Sequence, residues 1–169
     1  VIFLDSKDTY DRYIGYGVER SKLKIVGDIS YDTLYAQYIS KDKLSNKILN
    51  KYKLNKKYKN IVIALPQLAE HDILSWKDHW VEIDFLVSVA CEKGQNVLLS
   101  LHPKMDLDKY IFLEEKYNCR ILSERLIQVL PVSDMFIATY SSTVIWSTLC
   151  GIKTIVVDFY NLNFSIFTH

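Results

Sequence analysis

An α/β fold with a Rossmann-like, doubly wound parallel sheet and helices on both faces is what this sequence predicts. Three observations lead there. Short β-branched runs alternate with helical segments from Ile61 onward. Those runs are apolar throughout, as strands buried on both faces are, and do not alternate with polar residues. Polar residues gather just after each run, where a parallel sheet places its ligand sites.

The elements follow in order. Residues 1–38 read as a strand (Val1–Leu4), a helix (Lys7–Tyr16) and a strand (Lys24–Val26), closed by Gly27 and a polar loop. This opening looks like the tail of a preceding α/β unit rather than a complete domain, with 39–169 as a second unit. Between Lys41 and Lys59 stand eight lysines and one acid, Asp42, with Leu44, Ile48, Leu49, Tyr52 and Leu54 interleaved. That pattern predicts a helix with one packed and one lysine-rich face. Next comes strand Ile61–Leu65, ended by Pro66. Helix Trp76–Lys93 follows, its apolar residues Trp76, Trp80, Ile83, Val87 and Ala90 at three- and four-residue spacing, stopped by Gly94. Strand Asn96–Leu101, helix Leu107–Tyr117, strand Cys119–Leu122 and helix Glu124–Leu130 continue the series. Strand Met135–Thr139, helix Ser142–Cys150 with Gly151 behind it, and strand Lys153–Val157 complete it.

Composition narrows the function. The chain of 169 residues is 49% hydrophobic and 24% charged with a net charge of +1, which excludes a disordered chain and argues against a nucleic-acid binder. No apolar run approaches the roughly 20 residues of a membrane-spanning helix. Three cysteines, Cys91, Cys119 and Cys150, each among apolar neighbours, predict buried reduced thiols and a cytoplasmic protein. The lysine stretch is a solvated face on the plain reading and a contact with phosphate or an anionic membrane surface on the other.

With strand order 3-2-1-4-5, the loops after the first and fourth strands flank the crevice. The first holds Gln67, Glu70 and His71, the last two a candidate acid/base pair. The other offers Ser141, Ser142 and Thr143 leading into a helix, either an anion site for phosphate or a plain helix cap. After the second strand, His102-Pro103-Lys104 sets an imidazole and an ammonium at the sheet rim. His79, inside a helix, reads as structural. Asp106-Leu107-Asp108 has a D-x-D form but opens a helix, where acids serve as caps. The glycine-rich dinucleotide and P-loop fingerprints, the nucleophile elbow and the zinc-protease motif do not occur.

Three segments resemble the carboxyl-terminal half of a GT-B glycosyltransferase. Lys24-Ile25-Val26-Gly27-Asp28-Ile29-Ser30-Tyr31-Asp32 is similar to the segment that crosses between the lobes. Leu99-Ser100-Leu101-His102-Pro103 resembles the strand-plus-HP motif of the CDP-glycerol glycerophosphotransferases and bacterial sialyltransferases. The stretch from Asp134 to Thr143, followed at the family spacing by Gly151–Val157, resembles their serine-pair segment. Capsule polysaccharide enzymes and, more distantly, the UDP-GlcNAc 2-epimerases are related in kind.

The resemblance implies a donor lobe for a nucleotide-sugar or CDP-polyol, acting with a glycan acceptor in bacterial surface polysaccharide synthesis. It implies no cofactor, no metal, and an amino-terminal lobe beyond this chain, without which the fragment is inactive. By carry-over, His102 and Pro103 hold the nucleotide, with Lys104 beside them, and Ser141, Ser142 and Thr143 its phosphates. Leu122–Arg125, with Ser123 and Glu124, lines the base, largely through backbone groups. Two departures stand out. Thr143-Val144-Ile145-Trp146 carries no carboxylate where many relatives have one, which leaves a non-catalytic nucleotide-binding domain as an alternative. Pro66-Gln67-Leu68 lacks the His-Arg pair of the epimerases, a second alternative that this weakens.

Overall fold

The computed structural model describes residues 1–92, 94–139 and 141–158. The chain forms two compact units, residues 1–36 and the part from Gln37 onward. In the first, strands β1 (Ile2–Leu4) and β2 (Leu23–Ile25) pair in parallel, Ile2 beside Leu23. Helix α1 (Lys7–Gly15) connects them, and the Ser6 hydroxyl caps it by accepting the Thr9 N–H.

The polar loop expected after Gly27 is instead a helix, α2 (Ile29–Ile39). Its one buried residue is Leu34, so the segment lacks the repeating apolar face that announces a helix. The readable signal was local: the Asp28 carboxylate accepts the Ser30 N–H at 2.8 Å and starts the turn.

The second unit runs α3 (Lys41–Lys51), β3 (Asn60–Ala64), α4 (Trp76–Cys91), β4 (Asn96–Ser100), α5 (Leu107–Tyr110) and α6 (Phe112–Lys116). It continues with β5 (Cys119–Ile121), α7 (Leu126–Val129), a 3-10 turn (Leu130–Val132), β6 (Met135–Ala138), α8 (Thr143–Leu149) and β7 (Lys153–Val156). The lysine-rich helix therefore stops at Lys51, well short of Lys59. The helix expected over 107–117 is broken at Ile111 into two short ones, and the one expected from Glu124 begins at Leu126. Gly151 ends α8 in the left-handed region (φ 66°), and its N–H bonds to the Thr148 carbonyl. Lys93, expected at the end of α4, lies outside the described residues.

All five strands are parallel, in the order β5-β4-β3-β6-β7. Numbered within this sheet, that is 3-2-1-4-5. The central strand β3 touches both halves: Val62 lies beside Leu98 of β4 and Phe136 of β6. Strand order reverses between β3 and β6, so a crevice opens beyond their carboxyl ends.

Alternation along these strands divides the core into two layers. Ile63, Leu65, Val97, Leu99 and Ile137 pack with Ile83, Leu86 and Val87 of α4 and with Tyr110 and Leu113. Val62, Leu98, Phe136 and Ala138 pack on the other face with Ile48 of α3, Val129 of α7 and Leu130. Each fully buried side chain of this kind contributes about 1.5–3 kcal/mol of transfer free energy. A helix layer on each face is what a parallel sheet requires, because neither face can meet water. The three cysteines are free thiols. Only Cys119 is buried, while Cys91 and Cys150 are half-buried at the ends of their helices.

Candidate functional site

The carboxyl end of the sheet collects the polar residues singled out in the sequence, and the fold pairs several of them in ways that sequence neighbours do not. His102 follows β4 in a tight turn: the Met105 N–H donates to the His102 carbonyl at 2.8 Å. The Lys104 N–H donates to His102 Nδ1 at 3.2 Å. Accepting at Nδ1 places the proton of the neutral ring on Nε2. That N–H has no partner among the described residues and is a donor held at the sheet rim. Pro103 and Lys104 are exposed.

Beyond β6, the Ser141 hydroxyl lies 2.6 Å from that of Thr143 and accepts the Thr143 N–H at 3.3 Å. Ser141, not the nominal cap Ser142, thus tethers the start of α8. Ser142 is exposed, has helical backbone angles and makes no capping bond. Tyr140, the first residue of this loop, lies outside the described residues.

Ser123 and Glu124, expected beside the base, are closed onto the end of α3. Lys51 Nζ donates to Ser123 Oγ at 2.6 Å and to the Glu124 carboxylate, and the Tyr52 hydroxyl donates to the other carboxylate oxygen. Burial opposes the charge of Glu124, yet these bonds from Lys51 and Tyr52 hold its carboxyl below the usual range. The Leu122, Ser123 and Arg125 N–H groups are also committed, to the Leu99 carbonyl, the Tyr52 hydroxyl and the Gln128 side chain.

The crevice loop after β3 brings the clearest departure. Glu70 was expected to pair with its neighbour His71. The structure pairs it with Tyr110 of α5, whose hydroxyl donates to Glu70 Oε1 at 2.6 Å, and leaves the His71 side chain exposed. The Tyr110 oxygen also lies 2.8 Å from His79 Nε2. Tyr110 has one proton and gives it to Glu70, so His79 donates from Nε2. Burial lowers the His79 pKa against the opposing pull of the Glu70 carboxylate. Burial, then the hydrogen bond to Glu70, pushes that of Tyr110 far up. His79 is fully buried, walled by the rings of Trp76, Trp80 and Tyr110 at 4.8 to 5.9 Å between centroids. The apolar periodicity of α4 marked these positions as core, and nothing in the sequence joined them to Glu70.

Among the described residues, four buried polar atoms of this unit have no hydrogen-bond partner: Gln67 Nε2, Glu70 Oε2, His79 Nδ1 and Thr139 Oγ1. Gln67 and Glu70 belong to the loop after β3, Thr139 follows β6, and His79 is joined to Glu70 through Tyr110. An unsatisfied buried group costs about 1–3 kcal/mol, so this end of the sheet carries a local deficit.

Two concavities lie elsewhere. One of about 190 Å³ sits around Asn55, Asn96 and Arg120 at the opposite end of the sheet. An open groove of about 470 Å³ runs between Trp76, Trp80, Lys109 and Phe112 on the flank. The D-x-D acid Asp106 caps α5 by accepting the Asp108 N–H. Among the described residues no three His, Cys, Asp or Glu side chains come together as a metal site, and no helix is long and apolar enough to cross a membrane.

The described residues form a doubly wound α/β fold, a parallel Rossmann-type sheet with its crevice at the switch point. Solved structures of the wall teichoic acid polymerase TagF share it. One histidine-to-asparagine variant superposes with a TM-score of 0.63 at 15% identity, over 97% of this chain and 41% of that one. The same kind of variant soaked with CDPG gives 0.59 at 13% identity, over 91% and 36%. A further TagF structure gives 0.57 at 14%, over 91% and 38%. At such identity the likeness is one of fold. The chain spans about two-fifths of the length of these neighbours. No family model matches the chain, and no curated protein does.

Proposed function

We propose that this chain is the donor-nucleotide-binding lobe of a GT-B-type transferase, taking a nucleotide-sugar or CDP-linked polyol as substrate. The observation that carries the reading is the sheet order, with the reversal between β3 and β6 and the polar residues gathered at those carboxyl ends. His102 Nε2–H and Pro103 would contact the nucleotide. Lys104 and the Ser141, Ser142 and Thr143 hydroxyls would meet its phosphates and stabilise the leaving group electrostatically. Asp106 is already spent as a helix cap, so the D-x-D pair is a poor metal clamp, and binding without metal is the expectation.

The base would lie against Leu122–Arg125. With the N–H groups of Leu122, Ser123 and Arg125 engaged, this segment offers carbonyl oxygens, which suit the amino group of cytosine better than uracil. Glu70 and His71 are the acid/base candidates of the crevice loop, His71 being the one exposed to solvent. The acceptor glycan and its lobe would come from outside this chain, and the chain alone would not turn over. A cytoplasmic, membrane-apposed setting fits Lys43, Lys47, Lys53, Lys56, Lys57 and Lys59, all exposed. The missing carboxylate on α8 favours a second reading, a nucleotide-binding domain without catalysis.

Calorimetric titration with CMP, CDP, UDP, GDP and ADP, in EDTA and again with magnesium, tests the proposal. Saturable binding of the cytidine nucleotides in EDTA is expected. Silence across all five would overturn the donor-lobe reading for this chain, and binding only with magnesium would overturn its metal independence.

A further inference from the structure

Helix α4 runs from the crevice end of the sheet back to the amino ends of its strands, where two cysteines meet. Ile83 and Val87, one helical turn apart and fully buried, mark the side of α4 that faces the sheet. Cys91, the last residue of the helix, continues that line by one more turn and packs against the same core layer. Cys119 is a member of that layer, opens β5, and stands beside Val97 near the start of β4. The Cys91 and Cys119 sulfurs are hydrogen-bond partners of one another. Cys119 Sγ also donates to the Leu113 carbonyl at 3.3 Å. Cys150 ends α8, which leads into β7 at the opposite edge of the sheet from β5.

The two thiols differ in access. Cys119 is fully buried and out of reach of anything dissolved in water, whereas Cys91 is only half-buried. When Cys91 ionises, the Cys119 S–H can turn toward it. That bond holds the Cys91 thiol below its usual range, against the opposing effect of burial. We propose that Cys91 and Cys119 form an oxidation site for hydrogen peroxide, with Cys91 as the attacking thiol and Cys119 as the resolving one. The Cys91 thiolate takes one peroxide oxygen, the O–O bond breaks, and the hydroxide released leaves as water with one proton. The bond to the Cys91 thiolate, then burial, pushes Cys119 up, and the first of these vanishes once Cys91 carries oxygen instead of charge. Cys119 then attacks the sulfenic sulfur, the S–O bond breaks, and the Cys119 proton leaves with the hydroxide as a second water. A pair of electrons passes from the sulfurs to the peroxide, and a disulfide joins the end of α4 to the start of β5. The site lies at the end of the sheet opposite the crevice and is independent of nucleotide.

The whole chain is treated with hydrogen peroxide, unfolded in urea with iodoacetamide, and weighed intact before tryptic digestion. Expected are alkylation at Cys150 alone, the loss of one hydrogen from each of the other thiols, and peptides 78–93 and 117–120 joined. Dithiothreitol should separate them. Cys150→Ser should leave the joining unchanged. Cys91→Ser should abolish it and leave Cys119 fully alkylated, because the buried thiol meets peroxide only through Cys91. In Cys119→Ala the Cys91 sulfenic acid should persist long enough for dimedone to capture it. The thermal midpoint of each variant shows that it is folded. In the unsubstituted chain, full alkylation of all three cysteines after peroxide would overturn the proposal. So would Cys91 driven to sulfinic acid beside an alkylated Cys119, which would place the second sulfur out of reach. A disulfide through Cys150, or one joining two chains, would overturn it equally.

Discussion

The two ends of the β-sheet treat buried polar groups in opposite ways. At the amino ends of β3 and β4, Asn96 donates to the Asn55 carbonyl at 2.8 Å and to Asn60 Oδ1 at 2.9 Å, and accepts the Asn55 N–H at 3.0 Å. Asn60 in turn donates its backbone N–H to Asp134 and its side-chain amide to the Val132 carbonyl. Every side-chain polar atom of this pair is used within the chain, and the pair fastens the strands to the loops beneath them. At the carboxyl ends Gln67, Glu70 and Thr139 keep hydrogen-bonding capacity in reserve. Saturation marks a structural network, and the unpartnered groups leave the other end with a local deficit. The concavity around Asn96 is thus a feature of the closed end, and the crevice belongs to the open one.

The contrast is broken most strongly at the closed end. Asn96→Ala strands the Asn55 N–H and Asn60 Oδ1, and should cost about 3 kcal/mol, a fall in Tm of roughly 6–12 °C by calorimetry, with nucleotide affinity unchanged. Tyr110→Phe removes the bridge between Glu70 and His79 and should cost about 1–3 kcal/mol in denaturant melts. A loss there as large as that of Asn96→Ala would mean the network serves stability in the same way. His102→Ala should leave Tm unmoved and weaken nucleotide binding by about 1–3 kcal/mol in titrations; full affinity in this variant would remove His102 from the site.

The smallest effect is on pH. His79 has a folded pKa below its ordinary 6.5, so the native state binds fewer protons than the unfolded one. Its contribution is fully present above that value and is lost as pH falls through the lowered one. Tm should decline from about pH 6.5 downward, and His79→Gln should flatten that part of the profile. Below the ordinary Glu124 value of 4.5, protonation of that carboxylate adds a second decline of the same sign. An unchanged slope in His79→Gln would show that the first decline comes from other groups.

Each strand of the sheet was legible because its signal is local. Runs such as Val-Leu-Leu at 97–99, within β4, are continuously apolar, which a strand covered on both faces needs. Helix α4 was equally plain, since Trp76, Trp80, Ile83 and Val87 repeat on one side and the Ser75 hydroxyl caps it by accepting the Asp78 N–H. Helix α2 escaped because one buried leucine in eleven residues makes no stripe. The site residues divide in the same way. Positions at strand ends, such as His102 and Ser141, could be named from the strands themselves. The partner of Glu70 lies 40 residues away at Tyr110, and that of Glu124 lies 73 away at Lys51. In the sequence, His71 looked like the nearer choice for Glu70.

By itself, then, the sequence determined the class of fold, the succession of strands and helices and the end of the sheet where polar residues collect. Those follow from backbone periodicity and the burial of apolar side chains, which each segment expresses alone. Only the tertiary structure decided which polar groups are spent on each other and which remain open. The Lys51–Glu124 and Tyr110–Glu70–His79 contacts exist because the layers on each face close over the sheet. A hydrogen bond between distant side chains has no trace in either local sequence until packing brings them within about 3 Å.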